Sequence, residues 1–161
     1  MKSNLNFPAQ LFRYPKDEKH RWELVDELYA KCGVSDATPL NDEISRIDST
    51  TAICRDNGKG TESFEWAPVY RLGQYGQISV ATGLIFVTFA EGVSLEQVEE
   101  RLKEAGFVVD NDSPDVGAWL RHESGSIKAA LENYPAIICF KQILTAEPQF
   151  LMQRASKRGK F

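Results

Sequence analysis

The segment from Gly83 onward constrains the fold most, because its apolar runs and turn residues alternate sharply. Residues 84–89 read Leu-Ile-Phe-Val-Thr-Phe, a β-branched and aromatic run that is too short for a helix and apolar enough for a central strand. Ser94 and Gln97 form a capping-box pattern, and Gly106 is a typical helix terminator. A strand followed by a helix is therefore predicted.

The next stretch predicts two short strands joined by a turn. Residues 107–109 (Phe-Val-Val) and 116–122 are the apolar runs, and residues 110–115 between them contain Asn, Ser and Pro. This pattern is typical of two neighbouring strands.

A second helix and a last strand complete the pattern. Ser124 or Ser126 can cap the helix, which we expect to end at Tyr134 and Pro135. The apolar run that begins at Ile137 predicts the last strand.

The predicted order is strand, helix, strand, strand, helix, strand, which is that of the split β-α-β unit. Two right-handed crossovers place both helices on one face of a four-stranded antiparallel sheet. The sequence therefore predicts an α+β fold, a ferredoxin-like β-α-β-β-α-β sandwich over residues 67–151.

Residues 1–66 are predicted to be an α/β extension that packs on this core. Apolar residues recur there every three or four positions, as on one face of a helix that Pro15 opens and Gly33 ends: Trp22, Val25, Leu28, Tyr29 and Cys32. Residues 152–161 contain four Lys and Arg side chains and are predicted to be a flexible basic tail.

Charge and cysteine content narrow the classes of partner and compartment. The formal net charge of −4 argues against nucleic acid or an anionic membrane, and although Phe86 lies in a predicted strand, no basic and aromatic consensus for RNA surrounds it. No apolar run is long enough to span a membrane, and the start of the chain does not resemble a secretory signal. The odd number of cysteines (Cys32, Cys54 and Cys139) indicates a reducing cytoplasm.

The residues that could support catalysis do not form a recognisable pattern. His20 and His122 have no metal-ligand spacing with cysteine, and Ser124 lacks the Gly-x-Ser-x-Gly turn of a hydrolase nucleophile. We therefore expect no enzyme activity, no metal and no cofactor.

Several short stretches together resemble one known family. They are residues 67–71 (APVYR), 81–89 (ATGLIFVTF), 91–96 (EGVSLE), 98–106 (VEERLKEAG) and 146–150 (AEPQF). In this order they resemble the N-terminal propeptide of subtilisin-like serine proteases, over roughly residues 67–151.

The resemblance implies a binding role. Such propeptides lay one sheet face on two protease helices, and a carboxylate near the end of the last strand caps the N-termini of those helices. By position that carboxylate is Glu147, and the partner-binding stretch is Glu147, Pro148, Gln149, Phe150, Leu151 and Met152. A catalytic domain does not follow in this sequence, so the resemblance points to a free-standing inhibitor or folding assistant that acts in trans.

Two alternatives remain open at this level. One is a protein-interaction or oligomerisation module of ferredoxin-like fold, which forms homo-oligomers through its sheet. The other is a ligand-binding regulatory domain, which rests on fold analogy alone.

Overall fold

The structure is a computed structural model that describes residues 7–16, 18–33, 43–48, 50–55, 66–73, 76–112 and 117–152. Two α-helices lie in this part of the chain, α1 (Leu95–Glu104) and α2 (Ile127–Ile137), with one 3-10 turn at Glu18–His20. The strands are β1 (Gln10–Phe12), β2 (Arg21–Cys32), β3 (Glu43–Asp48), β4 (Thr51–Arg55), β5 (Trp66–Leu72), β6 (Ile78–Phe89), β7 (Phe107–Asp112), β8 (Gly117–His122) and β9 (Ile143–Met152).

These strands form one antiparallel sheet in the order β3-β4-β2-β5-β6-β8-β7, with β1 paired to β2 and β9 paired to β6. Strand β6 is its centre. β9 follows one edge of β6 over most of its length, while β5 and β8 share the other edge. The apolar run predicted at residues 84–89 is therefore a central strand, and it begins earlier than predicted, at Ile78.

The predicted four-stranded ferredoxin-like sandwich is wrong, because the described residues form a nine-stranded antiparallel sheet with only two α-helices. The elements from β6 to β9 do follow the order strand, helix, strand, strand, helix, strand. However, β5 hydrogen-bonds to β6 at Val69, Tyr70 and Arg71, and this pairing continues the sheet into the N-terminal strands.

The helix predicted in the N-terminal α/β extension is also wrong. The segment predicted to be helical is strand β2, which pairs with β1 and β4 on one edge and with β5 on the other. A register shift in β2 between Leu24 and Tyr29 interrupts the alternation of side chains. Trp22 therefore packs in one core cluster and Val25 and Leu28 in another, which places apolar residues at helix-like spacing in a strand.

The N-terminal strands return to β9 and close a circuit. Tyr14 and Ala146 exchange two backbone hydrogen bonds, with N···O distances of 2.8 and 3.0 Å. Together with the β1-β2, β2-β5, β5-β6 and β6-β9 pairings, this bridge links five strands into a ring. Tyr14, which lies between β1 and β2, is thus held against the last strand of the sheet.

Both helices cover the same face of β6, β8 and β9. The main core cluster joins Val98 and Leu102 of α1 and Leu131 and Tyr134 of α2 to the buried side chains of these strands. α1 begins after Ser94, whose backbone N–H donates to the side chain of Gln97 over 2.8 Å, as the capping-box pattern predicts.

The end of α2 differs from the prediction. The helix continues through Pro135 to Ile137, which is fully buried, and β9 begins only at Ile143. The run that begins at Ile137 is apolar because it contains the end of the helix and the turn that follows. Neither its length nor its hydrophobicity distinguishes a strand from the end of a helix. The predicted basic tail, apart from Met152 at the end of β9, lies outside the described residues.

Candidate functional site

The face of β6, β8 and β9 that lies away from the helices carries the candidate site. Along β6, Ile85, Val87 and Phe89 are buried under the helices, and the residues between them are partly exposed. Successive side chains of a strand point to opposite faces, and the cross-strand pairs extend the same alternation to β8 and β9. We call this surface the open face and define it by Phe86, Thr88, Trp119, Thr145 and Glu147.

An aromatic pair lies at its centre. Phe86 is paired across the strands with Trp119. The centroids of their rings lie 4.8 Å apart, and the angle between the ring planes is 53°. Gly117 makes this arrangement fit, because a Cβ atom there would lie 2.2 Å from the backbone oxygen of Val87 and 3.0 Å from the Phe86 ring. The pair presents a partly exposed aromatic surface, the kind that forms the centre of protein interfaces.

Polar groups surround the pair. The Thr88 and Thr145 hydroxyls hydrogen-bond to each other across β6 and β9. Beyond Trp119, Arg121 forms an ion pair with Asp110, with an Nε···Oδ1 distance of 3.3 Å. An apolar centre with a polar rim is the usual anatomy of a protein-binding surface.

Glu147 lies directly beside the aromatic pair. It is paired with Phe86 across β6 and β9, and its neighbours in the chain, Ala146 and Pro148, are buried on the opposite face. Its side chain is 41% exposed, and its Oε1 atom lies 3.9 Å from Nε of Arg13. The carboxylate is therefore accessible to a partner that offers N–H donors.

The predicted partner-binding stretch is divided by the structure. Besides Glu147, only Met152 is strongly exposed, at 52%. Pro148 is buried, and Gln149 is half-buried, with its Oε1 atom 2.9 Å from the Thr82 hydroxyl. Thus the two ends of the stretch present exposed side chains, and the Glu147 carboxylate also lies near Arg13.

Phe150 and Leu151 are partly buried and pack against the core clusters. The Phe150 ring stacks on the Trp22 ring with a centroid distance of 4.6 Å. It also packs edge-on against the Tyr70 ring with a centroid distance of 6.0 Å. Leu151 packs against the cluster that contains Val80. The structure therefore brings Glu147, but neither of these two residues, together with Phe86 and Trp119.

Trp119 is the site residue that sequence reasoning missed. The sequence points to Phe86 only as an RNA contact and to Trp119 only as part of a strand. The available signal was their parity, since Trp119 alternates with Ala118 and Leu120, which are both fully buried. That signal becomes informative only once the covered face is known.

The histidine and serine residues after β8 form a turn. His122 Nδ1 lies 2.8 Å from the Ser124 hydroxyl and accepts the Ser124 backbone N–H over 3.1 Å. The Ser124 hydroxyl in turn accepts the backbone N–H of Ser126, whose own hydroxyl caps α2 by accepting the Ala129 N–H over 3.0 Å. Ser126 is thus the cap, and the two serines complete a local hydrogen-bond chain.

A cavity lies between β1 and α2. It is an open cavity of about 290 Å³ lined mainly by apolar side chains, with Tyr134 on one side and Leu11 on the other. The Tyr134 hydroxyl is engaged with the backbone of Phe12, and the polar side chains of Gln10 and Glu132 also line the cavity.

Within the described ranges, no group of three or more His, Cys, Asp or Glu side chains could hold a metal ion. In the same part of the chain, neither helix has the length and apolar character needed to cross a membrane. Comparison of the chain with protein-family models, with curated proteins and with solved structures found no match. The resemblance to subtilase propeptides stays a prediction.

Proposed function

We propose that this protein binds a subtilisin-like serine protease in trans through the open face, as an inhibitor or a folding assistant, without catalysing a reaction itself. The observation that carries the proposal is the position of Glu147 opposite Phe86, beside Trp119, on the face that the helices leave uncovered. The resemblance to propeptides assigns a helix-capping role to the same residue.

The chemistry of the open face suits two helix N-termini. The first N–H groups of a helix have no partner within the helix, and the helix dipole adds positive potential there. A carboxylate such as Glu147 satisfies those donors, and the Phe86–Trp119 pair offers apolar area beside it. Together they match a surface that presents helix ends above apolar side chains.

The edges of the sheet favour docking through the face. Edge strand β3 has irregular pairing between Glu43 and Ser45 and again between Arg46 and Asp48. Edge strand β7 is irregular between Val109 and Asn111. Such irregularities hinder the addition of another strand at these two edges, so oligomerisation through β3 or β7 is disfavoured.

We also propose that the protein works in a reducing compartment such as the cytoplasm. The three cysteines, all in the described part of the chain, form no disulfide. The partner would then be an intracellular subtilase.

Two measurements test the proposed function. In the first, the purified protein is titrated into a subtilisin and the residual peptidase activity is measured. In the second, denatured protease is diluted into buffer with or without the protein and the recovered activity is compared. We expect micromolar protein to inhibit the protease or to raise its recovery.

Matched variants connect the effect to the open face. Trp119→Ala should weaken the effect about 10-fold or more, as removal of a central aromatic side chain does in other interfaces. Ile44→Ala removes an exposed apolar side chain from β3, far from the open face in strand order, and should leave the effect unchanged.

Three results would contradict the proposal. The first is that the protein changes neither the peptidase activity nor the recovery of the protease. The second is that Trp119→Ala and Ile44→Ala weaken the effect equally. The third is self-association in light scattering with no protease affected. The last of these would favour the oligomerisation module instead.

A further inference from the structure

Arg13 lies over the carboxylate to which the proposed function gives the central role. Its Nε atom is 3.9 Å from Oε1 of Glu147, and each side chain is 41% exposed. The next residue, Tyr14, is fixed to Ala146 by two backbone hydrogen bonds of 2.8 and 3.0 Å. The backbone bridge thus holds Arg13 beside Glu147.

We propose that Arg13 masks Glu147, so that the N-terminal segment competes with the partner for this carboxylate. This inference rests on the proposed function and adds a regulatory contact to it. A partner that offers N–H donors at the carboxylate must displace the guanidinium or share the carboxylate with it. Arg13 therefore lowers the affinity for the partner for as long as the N-terminal segment holds it beside Glu147.

The size of the effect follows from the exposure of the pair. Exposed ion pairs are screened by water and contribute little, so removal of Arg13 should tighten partner binding by about 2- to 5-fold. Screening by salt should reduce that gain, because both side chains are open to solvent.

A double-mutant cycle separates masking from simple repulsion. Binding to a subtilisin with a blocked active site is measured for the parent protein, Arg13→Gln, Glu147→Gln and the double variant. If Arg13 acts through the carboxylate, Arg13→Gln tightens binding in the parent but has no effect when Glu147 is already Gln. If Arg13 instead repels the partner directly, the gain persists in both backgrounds and the masking proposal is overturned.

A matched control accounts for the change in net charge. Lys128→Gln removes one positive charge from α2, on the opposite side of the sheet, where Lys128 is paired with Glu132 rather than with Glu147. It should not tighten binding, and a gain equal to that of Arg13→Gln would also overturn the proposal. Thermal unfolding of all the variants checks that each is folded.

The outcomes distinguish the two proposals. If the parent binds and Arg13→Gln binds equally well, masking is wrong and the proposed function stands. If only Arg13→Gln binds, masking is supported in its strongest form. If no variant binds, including Arg13→Gln, the proposed function is wrong and the mask has no partner to regulate.

Discussion

Tyr134 of α2 is hydrogen-bonded to both backbone groups of Phe12 in β1. Its hydroxyl donates to the Phe12 carbonyl oxygen and accepts the Phe12 N–H over 3.2 Å. Tyr134 is buried in the main core cluster. One side chain thus joins the second helix to the first strand, although the two are far apart in the chain.

Tyr134→Phe should lower the free energy of unfolding by about 1 to 3 kcal/mol, because it leaves a backbone donor and acceptor of Phe12 without their partner. Denaturant unfolding measures the change. Tyr14→Phe is the matched control: it removes the same atom from a ring that packs edge-on against Tyr134 at 5.8 Å, and it should cost less than about 0.5 kcal/mol. Equal losses in the two variants would contradict the role assigned to the Tyr134 hydroxyl.

Alkaline pH should destabilise the protein through two buried phenols. Burial raises the pKa of Tyr70 and of Tyr134 above the usual 10.0, and in the folded protein both stay protonated as the unfolded chain begins to ionise. Below pH 10 the two buried phenols make their full contribution to the free energy of unfolding. Above pH 10 this contribution falls by about 1.4 kcal/mol per pH unit for each phenol.

The measurement is denaturant unfolding at several pH values between about 9 and 11. Tyr134→Phe should remove about half of the part of the slope that these two phenols supply. Reversible ionisation of all five tyrosines near pH 10 in the folded state, followed by ultraviolet absorbance, would contradict the prediction.

Local sequence patterns predicted the second half of the chain better than the first. α1 is correct because Ser94, Gln97 and Gly106 are local signals for where a helix begins and ends. The sequence predicts a helix at β2 because the register shift between Leu24 and Tyr29, which is set by pairing with distant strands, spaces its apolar residues as in a helix. Spacing within a segment cannot reveal which partners lie on its two edges.

The candidate site shows the same limit. The resemblance singled out Glu147, which the structure places in the last strand with a side chain that is 41% exposed, and its partner-binding role stays a prediction. Trp119 becomes visible only when the helices are placed on one face, and Arg13 only when the N-terminal strand returns to β9. These contacts join segments whose proximity is a property of the whole sheet.

Gly117→Ala should disturb the aromatic pair. The added Cβ would lie 2.2 Å from the Val87 backbone oxygen, so β6 and β8 must separate, and we expect a loss of about 1 to 3 kcal/mol together with a displaced Phe86 ring. The measurements are denaturant unfolding and the NMR contacts between the Phe86 and Trp119 rings.

Gly92→Ala is the control for this prediction. Gly92 has a φ of +80° but nothing within 4 Å of the added Cβ, so it should cost about 1 kcal/mol from backbone strain alone and leave the ring contacts intact. Unchanged ring contacts in Gly117→Ala would show that the close approach of β6 and β8 is not required.

Within the predicted partner-binding stretch, Phe150 should contribute to the stability of the fold and Met152 should not. Phe150→Ala removes a ring stacked on Trp22 at 4.6 Å and should lower the free energy of unfolding by about 2 to 4 kcal/mol. Met152→Ala changes a side chain that is 52% exposed and should alter it by less than about 0.5 kcal/mol.

A double-mutant cycle with Trp22→Ala tests whether the stack itself carries the effect of Phe150→Ala. The coupling free energy should be about 0.5 to 1.5 kcal/mol beyond the loss of buried area. If Phe150→Ala left stability unchanged and weakened only protease binding, Phe150 would be a partner contact, as the sequence first indicated. The stack on Trp22 and the edge contact with Tyr70 favour the opposite result, because they place the ring between β2, β5 and β9, where its removal opens a cavity inside the sheet.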